Sequence, residues 1–502
     1  MTDDTSLLAA RRDPTRREQW LLFGAGLLAS ALICLWYGVL DLPIFPRDNQ
    51  HYFYIAERVS AGLAPHASGF DPKTVVPLLL VGWATALGDL VGIPPLAIAR
   101  LMSVLTLGVF VRVTGLAAWK AGRNLPAAIF AMLALLACSY LDYMGAVGSQ
   151  PKITMAMFMA LGMWLAFEGR AGWSALFGTL AFLSWQPGLL CVAAAGVVAL
   201  LSRDRWRAVA RVIVAFAVPV ALYQLYFWLK GATGEQIEQE YVFPGNFMTH
   251  EWAGLPTHLR WVMQTWREGF GKSNLLPFLF LGVLAVFVVH LLRRRRELVP
   301  ATLAQPAWLY FTGLRLATVT FTIYDHQGPP DFFFLFPYAA VALGLGFALL
   351  LPAGRWPRLA GVGLVSLYLV GLAITGRSRS DTAGYRLAAQ QPVTAEVKRW
   401  LDQGKTVYAV NAHQFLALNR ATNWSRYNSF FRGVDEYLQA RTGNTEAWVP
   451  ADSAGRLPDI ILLGRAKPWG WPEWLSANGY TDMTPQPWRA QQRRVWRRDG
   501  GG

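Results

Sequence analysis

Apolar stretches about as long as a bilayer is thick, separated by short basic or aromatic connections, recur from Trp20 to Thr375. A membrane-crossing helix needs ~20 apolar residues. The candidates are Trp20–Leu40, Leu96–Trp119, Leu125–Tyr143, Ile153–Phe167, Trp173–Leu201, Val212–Leu229, Leu275–Leu292, Ala304–Thr322, Phe332–Leu351 and Leu359–Thr375. Trp173–Leu201 is long for one crossing and is interrupted by Ser184-Trp185-Gln186-Pro187-Gly188, where proline removes a helix hydrogen bond, so it reads as two short helices. Val75–Val91 is apolar but short, with Pro77 near its start and Asp89 near its end. A carboxylate in such a run needs a partner, and Arg100 is the candidate.

Charge decides the parity. Lys120/Arg123, Arg170, Arg203–Arg211, Arg293–Arg296 and Arg355/Arg358 fall on the same side as the basic N-terminus if Val75–Val91 does not cross and Trp173–Leu201 crosses twice. By the positive-inside rule that side is cytoplasmic. The reading is an 11-helix polytopic α-helical membrane protein, N-terminus inside and C-terminus outside. Residues 1–19 form a cytoplasmic segment without the apolar core of a signal peptide, and 20–375 the transmembrane module. Loops 41–74 and 231–274 face outside, as does 376–502, where the texture changes. There Thr394–Asp402 reads as a helix, Thr406–Val410, Asp459–Leu463 and Arg494–Arg497 as strands, and Glu473–Ala477 as a helix. That is a small C-terminal α/β domain.

Composition agrees. Charged residues are 15% of 502, well below the roughly one quarter of soluble domains, while 54% are hydrophobic and 22 are Trp. The net charge of +15 lies in clusters beside apolar runs, so it describes topology and not a nucleic-acid surface. Cys34, Cys138 and Cys191 all lie inside apolar runs and make no disulfide framework.

The first outer loop carries the candidate chemistry: Pro46-Arg47-Asp48-Asn49-Gln50-His51-Tyr52-Phe53-Tyr54-Ile55-Ala56-Glu57-Arg58, then Gly62. An acid stands one helical turn ahead of an aromatic-rich helix just outside the first span. The chain here resembles the GT-C superfamily of membrane glycosyltransferases, especially bacterial relatives of the protein O-mannosyltransferases and the lipid A aminoarabinose transferases. In that resemblance Asp48 takes the place of the first-loop catalytic Asp, with Tyr52 or Tyr54, Ala56 and Gly62 following it. Asp71-Pro72-Lys73, with Pro77 beyond, resembles the family's Lys-Pro-Pro element, though without the double Pro. Asp142 sits where the family often carries a second carboxylate. Many relatives follow the catalytic Asp with Glu; here Asn49 follows, so the sequence does not support a metal site built on an Asp-Glu pair; no cofactor is required, and a divalent metal stays open as an alternative.

The resemblance implies transfer of a sugar, hexosyl or pentosyl, from a polyprenyl-phosphate donor to an envelope glycan, lipid or protein, at the outer face of a bacterial cytoplasmic membrane. Asp48 would be the base, with Asp142 the second catalytic candidate. Arg47, Tyr52, Tyr54, Lys73, Lys152 and His326 are the candidate substrate contacts, the cations serving the leaving phosphate. Arg260, Arg267 and Lys272 are further outer cations. Each has a structural alternative: Asp48 suits a helix cap, Asp142 an aromatic belt, Lys152 snorkelling to the headgroups, and Asp325-His326-Gln327-Gly328-Pro329-Pro330-Asp331 a tight turn. The functional alternative is a lipid-linked oligosaccharide flippase. Such folds show repeated halves and midplane charges, neither of which is evident here.

Overall fold

The computed structural model describes residues 15–36, 48–148, 150–248, 254–270, 306–325, 328–351, 355–375, 387–431, 433–442, 449–451, 455–464, 471–485 and 494–498. The expected span Leu275–Leu292, the Arg293–Arg296 cluster, Lys272, Arg47 and His326 lie outside them.

Helix α1, Arg16–Trp36, opens on a reciprocal cap. The backbone N–H of Thr15 donates to Glu18 at 2.8 Å, and Thr15 Oγ1 accepts from the backbone N–H of Glu18 at 3.2 Å. Then come α2 (Asp48–Ser60), α3 (Val76–Leu90), α4 (Pro95–Gly122), α5 (Leu125–Leu136), α6 (Ser139–Val147), α7 (Pro151–Phe167), α8 (Ala171–Phe182), α9 (Leu189–Leu200) and α10 (Arg205–Leu229). After these follow α11 (Leu255–Phe270), α12 (Pro306–Tyr324), α13 (Phe336–Leu350) and α14 (Arg355–Thr375).

Every apolar run predicted within the described residues is helical, but helix length limits the count of crossings. Among the described residues α1, α4 and α10 are long and apolar enough to cross alone, and α5 with α6, bent by 76°, makes a fourth if counted as one. Helices α8 and α9, 12 residues each, are separated at Gln186–Gly188, the break that Pro187 predicts. At 1.5 Å per residue each reaches only about 18 Å, short of a ~30 Å hydrocarbon core. The number eleven therefore does not follow from the helices.

The packing around α2 is dense. Asn49 and every residue from His51 to Val59 are buried, more than an amphipathic surface helix would hide. The reason is a neighbour on each side. Below, α3 approaches so closely at Gly82 that a Cβ there would stand 2.5 Å from Val59 Cβ. Above lies chain from beyond residue 387.

That later chain forms α15 (Leu387–Asp402), β1 (Val407–Val410), α16 (Gln414–Leu418), α17 (Val434–Thr442), β2 (Ile460–Leu463), α18 (Trp471–Ala477), β3 (Tyr480–Asp482) and β4 (Arg494–Arg498). The strands make one mixed sheet of order β1-β2-β4-β3. β1 and β2 run parallel with Val407 opposite Ile460, whereas β4 is antiparallel to both β2 and β3. One sheet face packs Tyr408, Ile461 and Trp496 against Trp471 and Leu475. The other, through Val407, Ala409 and Leu462, shares a continuous apolar core with Val393, Phe415 and Leu416 and with α2. Alternation of the strand side chains puts successive residues on these two faces.

Candidate functional site

The site grows from the first turn of α2 and the loop that follows that helix. Asp48 is exposed at the helix start. One turn on, the buried Tyr52 turns its ring toward Lys73, whose Nζ stands 5.6 Å from the ring centroid. Burial alone would push the Lys73 ammonium down, but Asp71, Tyr52 and Asp48 together raise it above its usual value, so it stays charged. Burial holds the Tyr52 phenol above its usual range, so that side chain remains neutral. Asp71 is buried; its Oδ1 accepts from the Lys73 backbone N–H at 3.0 Å and lies 3.5 Å from Nζ. This loose pair leaves the ammonium partly open to an incoming anion.

The arm 71–76 is sewn to the break between α8 and α9. Gln186 Nε2 donates to Pro72 O at 2.7 Å, the Thr74 hydroxyl to Phe182 O at 2.7 Å, and Val76 N to Leu183 O at 2.9 Å. Trp185, beside Gln186, carries Lys152 Nζ 4.1 Å above its ring. Lys152 also forms a close ion pair with Asp331, and Asp331 caps the turn before α13 by accepting from Gly328 N at 2.9 Å. Lys152 is thus paired and largely enclosed, with its ammonium set between Trp185 and Asp331.

Asn49, next to Asp48, accepts from Gln150 Nε2 at 3.4 Å, which brings the start of α2 to the α6–α7 junction. Asp142 lies on α6, buried at 4% exposure, with no hydrogen-bond partner for Oδ1 among the described residues. Its helix packs on α1 and α4, and the Tyr140 ring lies tilted 6.1 Å from Phe333 of the turn that holds Asp331.

Tyr54 has a different place. It is fully buried, and its hydroxyl accepts from Asn423 N at 2.9 Å, tying α2 to the chain that carries the sheet. Burial raises this phenol to about 12. The same interface holds a charge clasp. The buried Glu57 accepts from Arg58 Nε at 2.8 Å and from Arg420 Nε at 3.2 Å, and Arg420 Nη2 reaches Asp89 at 2.6 Å. Asp89 therefore pairs with Arg420 across 331 residues of chain, where the sequence pointed to Arg100. Beside the clasp His51 and His413 pack ring to ring at 4.8 Å. Burial, then the Lys73 charge, brings His51 down to about 3, and burial likewise lowers His413.

Sequence reasoning missed the polar groups beneath the arm: His66, Tyr223, Gln236, Gln239 and Glu240. The one signal was polarity, since Gln236, Gln239 and Glu240 crowd into a short stretch of the 231–274 segment. Among the described residues no group of three or more His, Cys, Asp or Glu is placed to hold a metal ion.

No protein-family model and no curated protein matches the sequence. Solved structures do. ArnT from Cupriavidus metallidurans, bound to undecaprenyl phosphate, superposes with a TM-score of 0.62 at 16% identity over 96% of this chain and 98% of its own. The oligosaccharyltransferase of Archaeoglobus fulgidus in its apo form matches at 0.54 with 12% identity, over 89% of this chain and 70% of its own. The arabinofuranosyltransferase AftD from Mycobacteria matches at 0.56 with 13% identity, over 97% of this chain and 40% of its own. The chain has the GT-C fold of membrane glycosyltransferases, the fold that the first-loop motif resembles.

Proposed function

We propose that the chain is an integral-membrane, inverting glycosyltransferase that moves a sugar, hexosyl or pentosyl, from a polyprenyl-phosphate donor to an envelope glycan, lipid or protein. The observation that carries this reading is the grouping of an exposed carboxylate, Asp48, with a charged, partly open lysine, Lys73, at the outer loop of a GT-C fold. Undecaprenyl phosphate bound to ArnT supports the donor class. The site then lies at the outer face of a bacterial cytoplasmic membrane, with the N-terminus inside and the sheet domain outside.

The acceptor hydroxyl attacks the anomeric carbon from the face opposite the phosphate. Its proton passes to the Asp48 carboxylate as the new C–O bond forms. The anomeric C–O bond to phosphate breaks, and polyprenyl phosphate leaves with the electron pair, its growing charge met by Lys73. Opposite-face attack inverts the anomeric centre. Asp142, buried and without a partner for Oδ1, is the second carboxylate of this reading. Asn49, the residue after the proposed base, is engaged by Gln150, and the transfer as proposed requires no divalent cation.

Asp48→Asn tests the assignment. Asn caps a helix about as well as Asp, so folding persists while the base is lost. Transfer from a polyprenyl-phosphate sugar is expected to fall at least ~100-fold. Near-normal turnover in the variant would move the base to Asp142, and a wild-type protein with no transfer but with lipid translocation would be a flippase.

A further inference from the structure

Beyond its own contacts with Asp71 and Tyr52, the arm that carries Lys73 is held by a hub built elsewhere. Glu240 lies in a π-helical turn, Glu238–Val242, a departure from α geometry that is frequent at functional sites. Glu240 and His66 are both fully buried, and Glu240 Oε1 sits 2.8 Å from His66 Nε2. The same oxygen accepts the Tyr223 hydroxyl, and Oε2 accepts from Gln236 Nε2 at 2.7 Å. The Tyr223 oxygen in turn accepts from Val75 N at 3.1 Å. Gln239 extends the hub. Its Oε1 accepts from Asp71 N at 3.0 Å, and its Nε2 donates to His66 O at 2.7 Å. Gln186 Nε2 links Glu240 O at 3.0 Å to Pro72 O at 2.7 Å. The backbone is therefore gripped at 66, 71, 72 and 75, on both sides of Lys73.

A solvent-facing arm would not need a buried carboxylate with three donors, since burying a charge is unfavourable unless it is fully hydrogen-bonded. We infer that Glu240 is a positioning residue for the lipid phosphate: acting through His66, Tyr223 and Gln239, it fixes the 71–75 backbone so that the Lys73 ammonium meets the leaving phosphate. This rests on Lys73 being the phosphate contact. Glu240→Gln keeps the volume but replaces one acceptor oxygen by a donor amide, which sets donor against donor within the hub.

The test uses the full chain in detergent micelles, with undecaprenyl phosphate and unphosphorylated undecaprenol as the two probes. The ratio of their affinities isolates the phosphate contribution, which a general loosening of the fold would not change. The wild type is expected to prefer the phosphate, and Lys73→Ala to lose that preference. Glu240→Gln is expected to lower it roughly ten-fold, the scale on which one weakened hydrogen bond to a charged group acts. Because Glu240 acts through Lys73, the double variant should be no worse than Lys73→Ala alone. Tyr223→Phe, which removes only the ties to Val75 and Glu240, gives the same reading if Glu240→Gln fails to accumulate. A full phosphate preference in Glu240→Gln, with Lys73→Ala defective, overturns the positioning role alone. A full preference in Lys73→Ala overturns the phosphate assignment and the positioning role with it. Additive losses in the double variant would also overturn action through Lys73.

Discussion

Lowering the pH should loosen the sheet domain from α2, and the His51–His413 contact sets the size of the effect. Docked, His51 is held at about 3 by burial first and then by the Lys73 charge, with His66 adding in the same sense and the Phe70 backbone opposing. Asp71, 3.8 Å from His51 Nε2, is the carboxylate that faces it. His413 is lowered by burial and by His51, with Asn428 opposing. Undocked and hydrated, each ring returns to its ordinary value near ~6.5. Between about pH 6.5 and 3 the undocked form therefore binds more protons, so docking is strongest above 6.5 and weakens as the pH falls. At pH 5 the His51 difference amounts to about 2 kcal/mol, roughly 30-fold in the docking equilibrium, and His413 adds in the same direction. Hydrogen exchange of the amides from 407 to 430 in the full chain, corrected for intrinsic rates, reads this directly. Protection should fall between pH 7 and pH 5, and His51→Gln with His413→Gln should flatten the dependence. Equal loss of protection in that double variant would refute the argument, as would no loss in the wild type.

Other outcomes follow from the same contacts. Arg420→Ala removes the bridge between Glu57 and Asp89 but leaves Arg58 on Glu57; since Arg420 is itself about half exposed, docking should weaken by only about 1 kcal/mol, measurable by the same exchange. Gly82→Val forces a side chain into Val59 and should lower stability by ~1–3 kcal/mol, seen as a lower melting temperature, with the damage centred on α2. Ser476→Cys, on the exposed face of α18, should react with a membrane-impermeant thiol reagent in intact cells; labelling that appears only after lysis would place the domain inside. Chelation with EDTA should leave transfer unchanged, and loss of activity restored by a divalent cation would overturn the metal-free reading of Asn49.

Local pattern carried some of the sheet domain and not the rest. Val407–Val410 and Ile460–Leu463 are short runs of β-branched and apolar residues, readable as strands because both faces are buried. Tyr480–Asp482 lacks any such pattern, and it is a strand because β4 supplies its hydrogen bonds. Similarly, Tyr52 and Tyr54 are both aromatic residues of one helix. Their different fates, one facing Lys73 and one capped by Asn423, depend on what packs against each side of α2.

What the sequence determined by itself is whatever depends on residues near one another along the chain. Hydropathy over ~20 residues settles which segments become apolar helices, Pro187 breaks one of them, and an acid stands at the start of an aromatic helix, α2. Tertiary structure decided which charges meet. Asp89 finds Arg420, Lys152 finds Asp331, and Glu240 finds His66, across separations of 331, 179 and 174 residues. Coulomb energy depends on distance in space and on the dielectric around the pair, and neither quantity is written in the local order of residues.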